Sequence, residues 1–347
     1  MPTEAVLGWD VGGAHLKAAC LDGAGRVDRV WQEACPLWRG LDHLDRALDR
    51  ILGELAAPPA QHGVTMTGEM TDLFADRKSG VQSLVDRLCH RLGAEKVRFY
   101  AGPEGWLNAG SARLRPQWVA SANWHASAAL VAARLGEGLL VDVGSTTCDL
   151  IPIRGRQVAT ASEGDAERLA AGELVYGGVV RTPLMALADG APVQGRWLPL
   201  MAEHFATSAD VYRILGWLPE HADLQDSADG GPKTVAASRT RLARMVGRDA
   251  AELPEAAWTE LAAWFADAQL TRMARAARQV LSRTLLRADA PLVTAGTGAF
   301  LGERLAARLG RPTLAFPALL GEHADPEQSG WCAPAIAVGW LLREDRP

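Results

Sequence analysis

The chain has 347 residues, 48% hydrophobic and 22% charged, with a net charge of −5. That length and balance suit one large or two medium globular domains and exclude a long disordered region. The mild acidity speaks against a nucleic-acid partner, which rewards a basic patch, and no apolar run approaches the roughly 20 residues of a membrane helix.

The N-terminus runs straight into Ala5–Asp10 without a basic lead or a small-residue cleavage site, so a cytoplasmic location is expected. Val6–Asp10 reads as a buried strand, Leu16–Leu21 as its hairpin partner and Arg26–Glu33 as a third strand. Leu41, Leu44, Leu48, Ile51, Leu52 and Leu55 recur at helical spacing until Ala57-Pro58-Pro59. Gly63–Thr67 is predicted as a strand and Gly68–Asp72 as a polar turn. A helix follows through Val81, Leu84, Val85, Leu88 and Leu92, then a strand at Val97–Tyr100. Residues 102–120 read as irregular, and Ala126–Leu135 as a helix closed by Gly136 and Gly138.

The opening pattern then repeats. Leu139–Gly144 aligns without a gap on Leu7–Gly12, and an apolar strand follows each small polar loop. This repeat divides the chain into lobes of residues 1–137 and 138–347. The second lobe is predicted to carry a largely helical insertion over about 166–288, with a mobile loop at 223–234. A long helix starts near Leu261, and its arginines (272, 275, 278, 283 and 287) read as a solvated face. Pro291–Ala295 is a strand breaking into a third glycine turn at 294–298. A helix at 300–309, a strand at 313–316 and a helix at 335–342 complete the chain.

A strand ending in Asp-x-Gly with a small residue next suits a phosphate. Glycine lets the backbone come close, and the carboxylate can hold Mg²⁺. Asp10-Val11-Gly12-Gly13-Ala14 and Asp142-Val143-Gly144-Ser145-Thr146-Thr147 both fit, and Gly296-Thr297-Gly298 is the third close approach. The five cysteines form no CxxC or CxxH pair, which supports neither a zinc site nor a disulfide framework. Cys148, inside the second motif, reads as a buried spacer rather than a reactive thiol.

This trio of turns resembles the superfamily of actin-like ATPases, sugar kinases and heat-shock chaperones. The resemblance implies an α/β, two-lobed actin-like ATPase (ribonuclease H-like) fold with a ligand cleft between lobes. Gly8–Lys17, Thr67–Phe74, Ala122–Ser127, Asp142–Asp149 and Tyr176–Pro183, in that order, further resemble a hydantoinase/oxoprolinase-related family of tetrahydromethanopterin-linked one-carbon metabolism. That resemblance implies an enzyme of methanofuran or methylofuran biosynthesis. It would join an aminomethyl-furanylmethyl diphosphate to the phenol of a tyramine- or tyrosine-derived acceptor and release diphosphate.

On this reading Asp10 and Asp142 are candidate Mg²⁺ ligands. Gly12, Gly13, Ala14, Gly144, Ser145, Thr146, Thr147, Gly296, Thr297 and Gly298 would hold phosphate. Lys17 would neutralise the leaving group, and Glu69, Asp149 or His125 would take the phenol proton. Asn123, Trp124, Tyr176, Gly177, Gly178 and Arg181 would line the substrate.

Each has a plainer reading: Lys17 a surface lysine, Asp149 an ion-pair partner, Glu69 a helix cap, His125 a hydrogen-bonded structural histidine, Trp124 core, Arg181 a helix-entry residue. Expected partners are the two small molecules, with no nucleic acid and no membrane; a homodimer stays open. ATP is not the favoured ligand. The rival functions are an ATP-dependent kinase or amidohydrolase of the same fold, and a nucleotide-dependent assembly or chaperone-like protein.

Overall fold

The computed structural model describes residues 5–161, 163–284, 286–321 and 326–345. The elements run β1 (Val6–Val11), β2 (His15–Leu21), β3 (Val27–Ala34), α1 (Asp42–Gly53), β4 (Gln61–Met66), α2 (Arg77–Leu92), β5 (Val97–Tyr100), β6 (Trp106–Leu107), α3 (Ala109–Leu114), α4 (Pro116–Val119) and α5 (Asn123–Arg134). They continue with β7 (Glu137–Val143), β8 (Cys148–Arg154), β9 (Gln157–Val158), α6 (Asp165–Ala171), β10 (Leu174–Val175), β11 (Gly190–Val193), β12 (Arg196–Pro199), α7 (Ser208–Ile214), α8 (Val235–Met245) and α9 (Glu255–Thr284). Last come β13 (Leu292–Ala295), α10 (Ala299–Leu309), β14 (Thr313–Ala315), α11 (Pro326–Trp331) and α12 (Ala333–Glu344).

The chain divides into two compact units, one of residues 1–136, 153–158 and 315–347, the other of 137–152 and 159–314. In the first, the sheet order is β3-β2-β1-β4-β5-β6. Strand β1 pairs antiparallel with β2 and parallel with β4, and β4 runs parallel to β5. Every residue of β1 is buried, as befits a central strand covered on both faces.

In the second unit the sheet runs β10-β8-β7-β13-β14, with β7 parallel to β13 and β8 antiparallel to β10. Numbered by their order along the chain, the five strands on the path of the second sheet read 3-2-1-4-5, as do the first five of the first sheet, which β6 extends; β9 pairs with β8 off that path. This is the actin-like ATPase fold, and in each half the leading strand occupies the same central place.

Three expectations change. Residues 153–158 and 315–347, read by sequence as part of the second lobe, group with the first unit. For the C-terminal segment the reason is packing: α12 lies so close to β1 that a Cβ on Gly8 would sit 2.0 Å from the Ala335 carbonyl oxygen. Residues 102–120 are not irregular but carry β6, α3 and α4. The insertion is less helical than its composition suggested, since β10 and the β11–β12 hairpin fall inside it. No helix among the described residues is long and apolar enough to cross a membrane.

Candidate active site

Each unit presents one Asp-Val-Gly turn. In the first unit β1 ends at Val11, and the Gly12 N–H donates to the His15 carbonyl at 3.0 Å, closing the β1–β2 hairpin. Three neighbours hold the loop: the Thr67 N–H on the Val11 carbonyl, Leu37 N–H on Gly13 and Cys35 N–H on Ala14. Asp10 lies opposite Lys17 in the β1–β2 register, which puts both side chains on one face. The Asp10 side chain is 6% exposed, and the Lys17 ammonium donates to the Trp331 carbonyl at 2.7 Å.

Glu69 is 1% exposed and accepts a 2.9 Å hydrogen bond from the Ser121 hydroxyl. Ser121, missed by sequence, holds a φ of 52°, rare for a residue with a side chain. Asn123 opens α5, and His125, one turn in, bonds through Nδ1 to the Tyr100 hydroxyl at 2.9 Å. Burial holds the Tyr100 phenol well above its ordinary range, so it stays protonated. Trp124 is 4% exposed and packs edge-on against His125, which makes it a core side chain rather than an exposed stacking surface.

In the second unit the Gly144 N–H donates to the Thr147 carbonyl at 2.8 Å, the same closure as Gly12 to His15. The bracing differs. A strip from Gly178 to Arg181 covers the turn: Gly178 N–H donates to Thr146, Val179 to Gly144, and Val180 and Arg181 both to Ser145, all at 2.9–3.0 Å. The fit leaves no room for a side chain, because a Cβ on Gly178 would stand 2.4 Å from the Ser145 carbonyl carbon and the Thr146 nitrogen.

A trans peptide points its N–H opposite to its C=O. With the Gly144, Ser145 and Thr146 carbonyls held by the strip, the N–H groups of Ser145, Thr146 and Thr147 face the other way. Among the described residues, none of these three N–H groups donates within the chain. Successive outward N–H groups form an anion-binding concavity.

The third turn lies against this one. Gly296 has φ +84°, and a Cβ there would meet the Val143 carbonyl oxygen at 2.3 Å and Asp142 Oδ1 at 2.5 Å. The Gly298 N–H donates to the Val143 carbonyl at 2.8 Å. Among the described residues, none bonds the buried Thr297 hydroxyl. The structure thus gathers Asp142, Gly144–Thr147, Gly177–Arg181 and Gly296–Gly298 in one place. Tyr176, beside the strip, is 44% exposed, and Arg181 is exposed as well.

Asp149 is corrected. It is buried and its carboxylate is tied to the guanidinium of buried Arg168 at 2.5 Å. Burial raises its pKa while Arg168 opposes the rise. It is an ion-pair partner committed to the frame of β8, not an accessible base. Cys148 is fully buried, which raises its thiol pKa well above the ordinary range.

Sequence reading also missed Gln269. It is 1% exposed on α9, and its amide donates to the Gly177 and Gly178 carbonyls at 2.8 and 3.0 Å. One signal was available: a polar residue inside the buried stripe of a long helix.

Among the described residues, no group of three or more His, Cys, Asp or Glu side chains could hold a metal. Single carboxylates at strand ends remain a suitable donor set for Mg²⁺, which takes one or two carboxylates and fills its shell with phosphate oxygens and water.

The hydantoinase/oxoprolinase family profile matches residues 61–321. The chain is 30% identical over 246 residues to the (4-{4-[2-(gamma-L-glutamylamino)ethyl]phenoxymethyl}furan-2-yl)methanamine synthase of Methanocaldococcus jannaschii, covering 70% of this chain and 72% of that protein. The synthase of the same name from Methanococcus vannielii is 34% identical over 111 residues, 32% of this chain and 50% of that one. A nucleotide-free structure of acetone carboxylase aligns with 90% of this chain and 68% of its own, at a TM-score of 0.53 and 10% identity, a likeness of fold alone. By the profile and the archaeal synthases together, this chain belongs to the hydantoinase/oxoprolinase family.

Proposed function

We propose that this chain is a transferase of methanofuran or methylofuran biosynthesis. It joins an aminomethyl-furanylmethyl diphosphate to the phenol of a tyramine- or tyrosine-derived acceptor and releases diphosphate. The observation that carries the reading is the row of outward N–H groups at Ser145–Thr147, a neutral cradle suited to a diphosphate oxygen. The archaeal synthases, whose name is that of a phenoxymethyl-furan amine synthase, support a synthase of this cofactor class.

In the proposed reaction the methylene–oxygen bond to diphosphate breaks, and the electron pair leaves with the diphosphate. The furan oxygen stabilises the positive charge that develops on the methylene carbon. The phenol gives its proton to a base, and the oxygen pair so released forms the ether bond. The Ser145–Thr147 N–H groups, with the Thr297 hydroxyl, take the growing negative charge of the leaving group without reorganising.

Lys17 is assigned to charge neutralisation; its bond to the Trp331 carbonyl occupies one of three ammonium protons. Glu69, aimed by Ser121, or His125, aimed by Tyr100, is the base. Asp10 in the first unit and Asp142 in the second are each proposed as a carboxylate for Mg²⁺, which when bound would further neutralise the diphosphate.

The test is diphosphate release by the purified protein with Mg²⁺, furan diphosphate and a tyramine-type phenol, and with ATP in a parallel reaction. Release that requires both donor and phenol, with no ADP formed, is expected. ADP formation with the furan donor inert would sink the proposal in favour of an ATP-dependent kinase or amidohydrolase.

A further inference from the structure

We propose that Gln269 is a positioning residue for diphosphate binding, acting through the Gly177–Arg181 strip on the direction of the Ser145–Thr147 N–H groups. The proposal rests on the reading of that turn as a diphosphate cradle.

Among the buried residues of α9 from Trp258 to Val280, Gln269 is the one polar side chain. A buried amide is costly unless every polar atom is satisfied. Here both amide donors are used, on two consecutive carbonyls, Gly177 and Gly178. The amide oxygen accepts from the buried Tyr212 hydroxyl at 2.8 Å. Burial keeps that phenol protonated, so Tyr212 remains a donor and the amide cannot profitably flip.

The Gly178 carbonyl also accepts from the Ser208 hydroxyl at 2.8 Å and the Thr182 hydroxyl at 3.0 Å. Three donors on one carbonyl fix the plane of the next peptide, and from Gly178 to Arg181 the strip hands that orientation to the turn. Gln269 lies 91 residues from Gly178 along the chain, so no local preference of the loop could supply this restraint.

The test measures binding of inorganic diphosphate with Mg²⁺ to the full chain by calorimetry, beside thermal unfolding. Gln269→Met keeps the length and removes the donors; Gln269→Glu keeps the shape and the Tyr212 acceptor. Both are expected to weaken diphosphate binding by about tenfold or more, the scale of one lost buried hydrogen bond. Tyr212→Phe should weaken it several-fold. Gln279→Ala, an exposed position on the same helix bonded to the Ala170 carbonyl, should leave it unchanged.

A lower Tm with unchanged diphosphate affinity in the Gln269 variants would mean a purely structural glutamine and overturn the proposal. Should both variants fail to fold, unchanged affinity in Tyr212→Phe overturns it instead. A wild-type chain that binds no diphosphate overturns the cradle and Gln269 together. Diphosphate binding without furan transfer removes the transferase reading and leaves Gln269 standing. Furan transfer unaffected by Gln269→Met does the reverse.

Discussion

The two Asp-Val-Gly turns close with the same hydrogen bond, Gly12 to His15 and Gly144 to Thr147, yet they are supported by different chemistry. Around the first stand ionisable side chains: Asp10, His15, Lys17, Glu69 and, beneath β1, His62. Around the second, Asp142 stands at the strand end as Asp10 does at the first, but the groups that fix the covering strip are neutral: Gln269, Tyr212, Ser208, Thr182 and the amides of the strip. An internal repeat thus preserved the backbone device while its surroundings diverged. The fixing of the strip should therefore persist across pH, whereas the Trp9–His62 contact beneath the first turn rests on a group that titrates.

The largest expected effect tests the neutral brace. Gly178→Ala forces a methyl group into the Ser145–Thr146 backbone, and backbone cannot move aside as a flexible side chain can. We expect a loss of about 3 kcal/mol in unfolding free energy, the upper end of overpacking, together with loss of diphosphate binding. A stable variant with wild-type binding would show that the strip does not hold the second turn.

The next effect tests the ionisable support. Trp9 Nε1–H donates to His62 Nδ1 at 3.0 Å, which requires an unprotonated nitrogen. Burial, with a smaller contribution from Lys96, lowers the His62 pKa from 6.5 to about 4. The folded state therefore resists protonation more than the unfolded one. The associated stability is complete above pH 6.5 and is lost as pH falls towards about 4, by roughly 3 kcal/mol. His62→Gln keeps an acceptor for Trp9 and does not titrate, so its stability should fall less steeply in that window. Identical slopes in wild type and variant would remove His62 as the cause.

Much of this frame was readable in the chain because its signals are local. The strand–glycine–strand pattern, its exact register in both halves and the 3.6-residue periods located both turns and most of the helices. What escaped depends on pairings between distant segments. Gln269 meets Gly178 from the middle of another helix, Arg168 reaches Asp149 from α6, and α12 returns to β1 through the close approach at Gly8. Nothing in local spacing encodes such partners, and so Asp149 stood open between a base and an ion-pair partner, and residues 315–347 read as second lobe. The β11–β12 hairpin was hidden in a stretch whose neighbours are strong helix formers.

Lys17 offers an intermediate effect specific to the first turn. Lys17→Met keeps the length of the side chain and removes its charge. If the ammonium neutralises the leaving diphosphate, kcat/KM for diphosphate release should fall by about 100-fold, the scale of losing one preorganised charge-stabilising donor. Unchanged turnover with a lowered Tm would reduce Lys17 to a tether for the Trp331 carbonyl.

The smallest effect on stability is the most pointed for function. Gly144 lies outside the left-handed region, and a Cβ there would meet nothing nearer than the Thr147 carbonyl oxygen at 3.7 Å, an ordinary contact. The fold of the second unit therefore does not demand glycine at this position, and Gly144→Ala should change stability by no more than about 0.5 kcal/mol. Gly12→Ala, by contrast, brings its Cβ to 2.9 Å from the His15 carbonyl oxygen and should lower Tm. If diphosphate oxygens approach the backbone of the second turn, the added methyl at Gly144 stands in their way, and affinity should fall about tenfold with Tm intact. Wild-type affinity in Gly144→Ala would place the anion's contacts farther along, on Ser145–Thr147, and would leave that glycine without a role in binding.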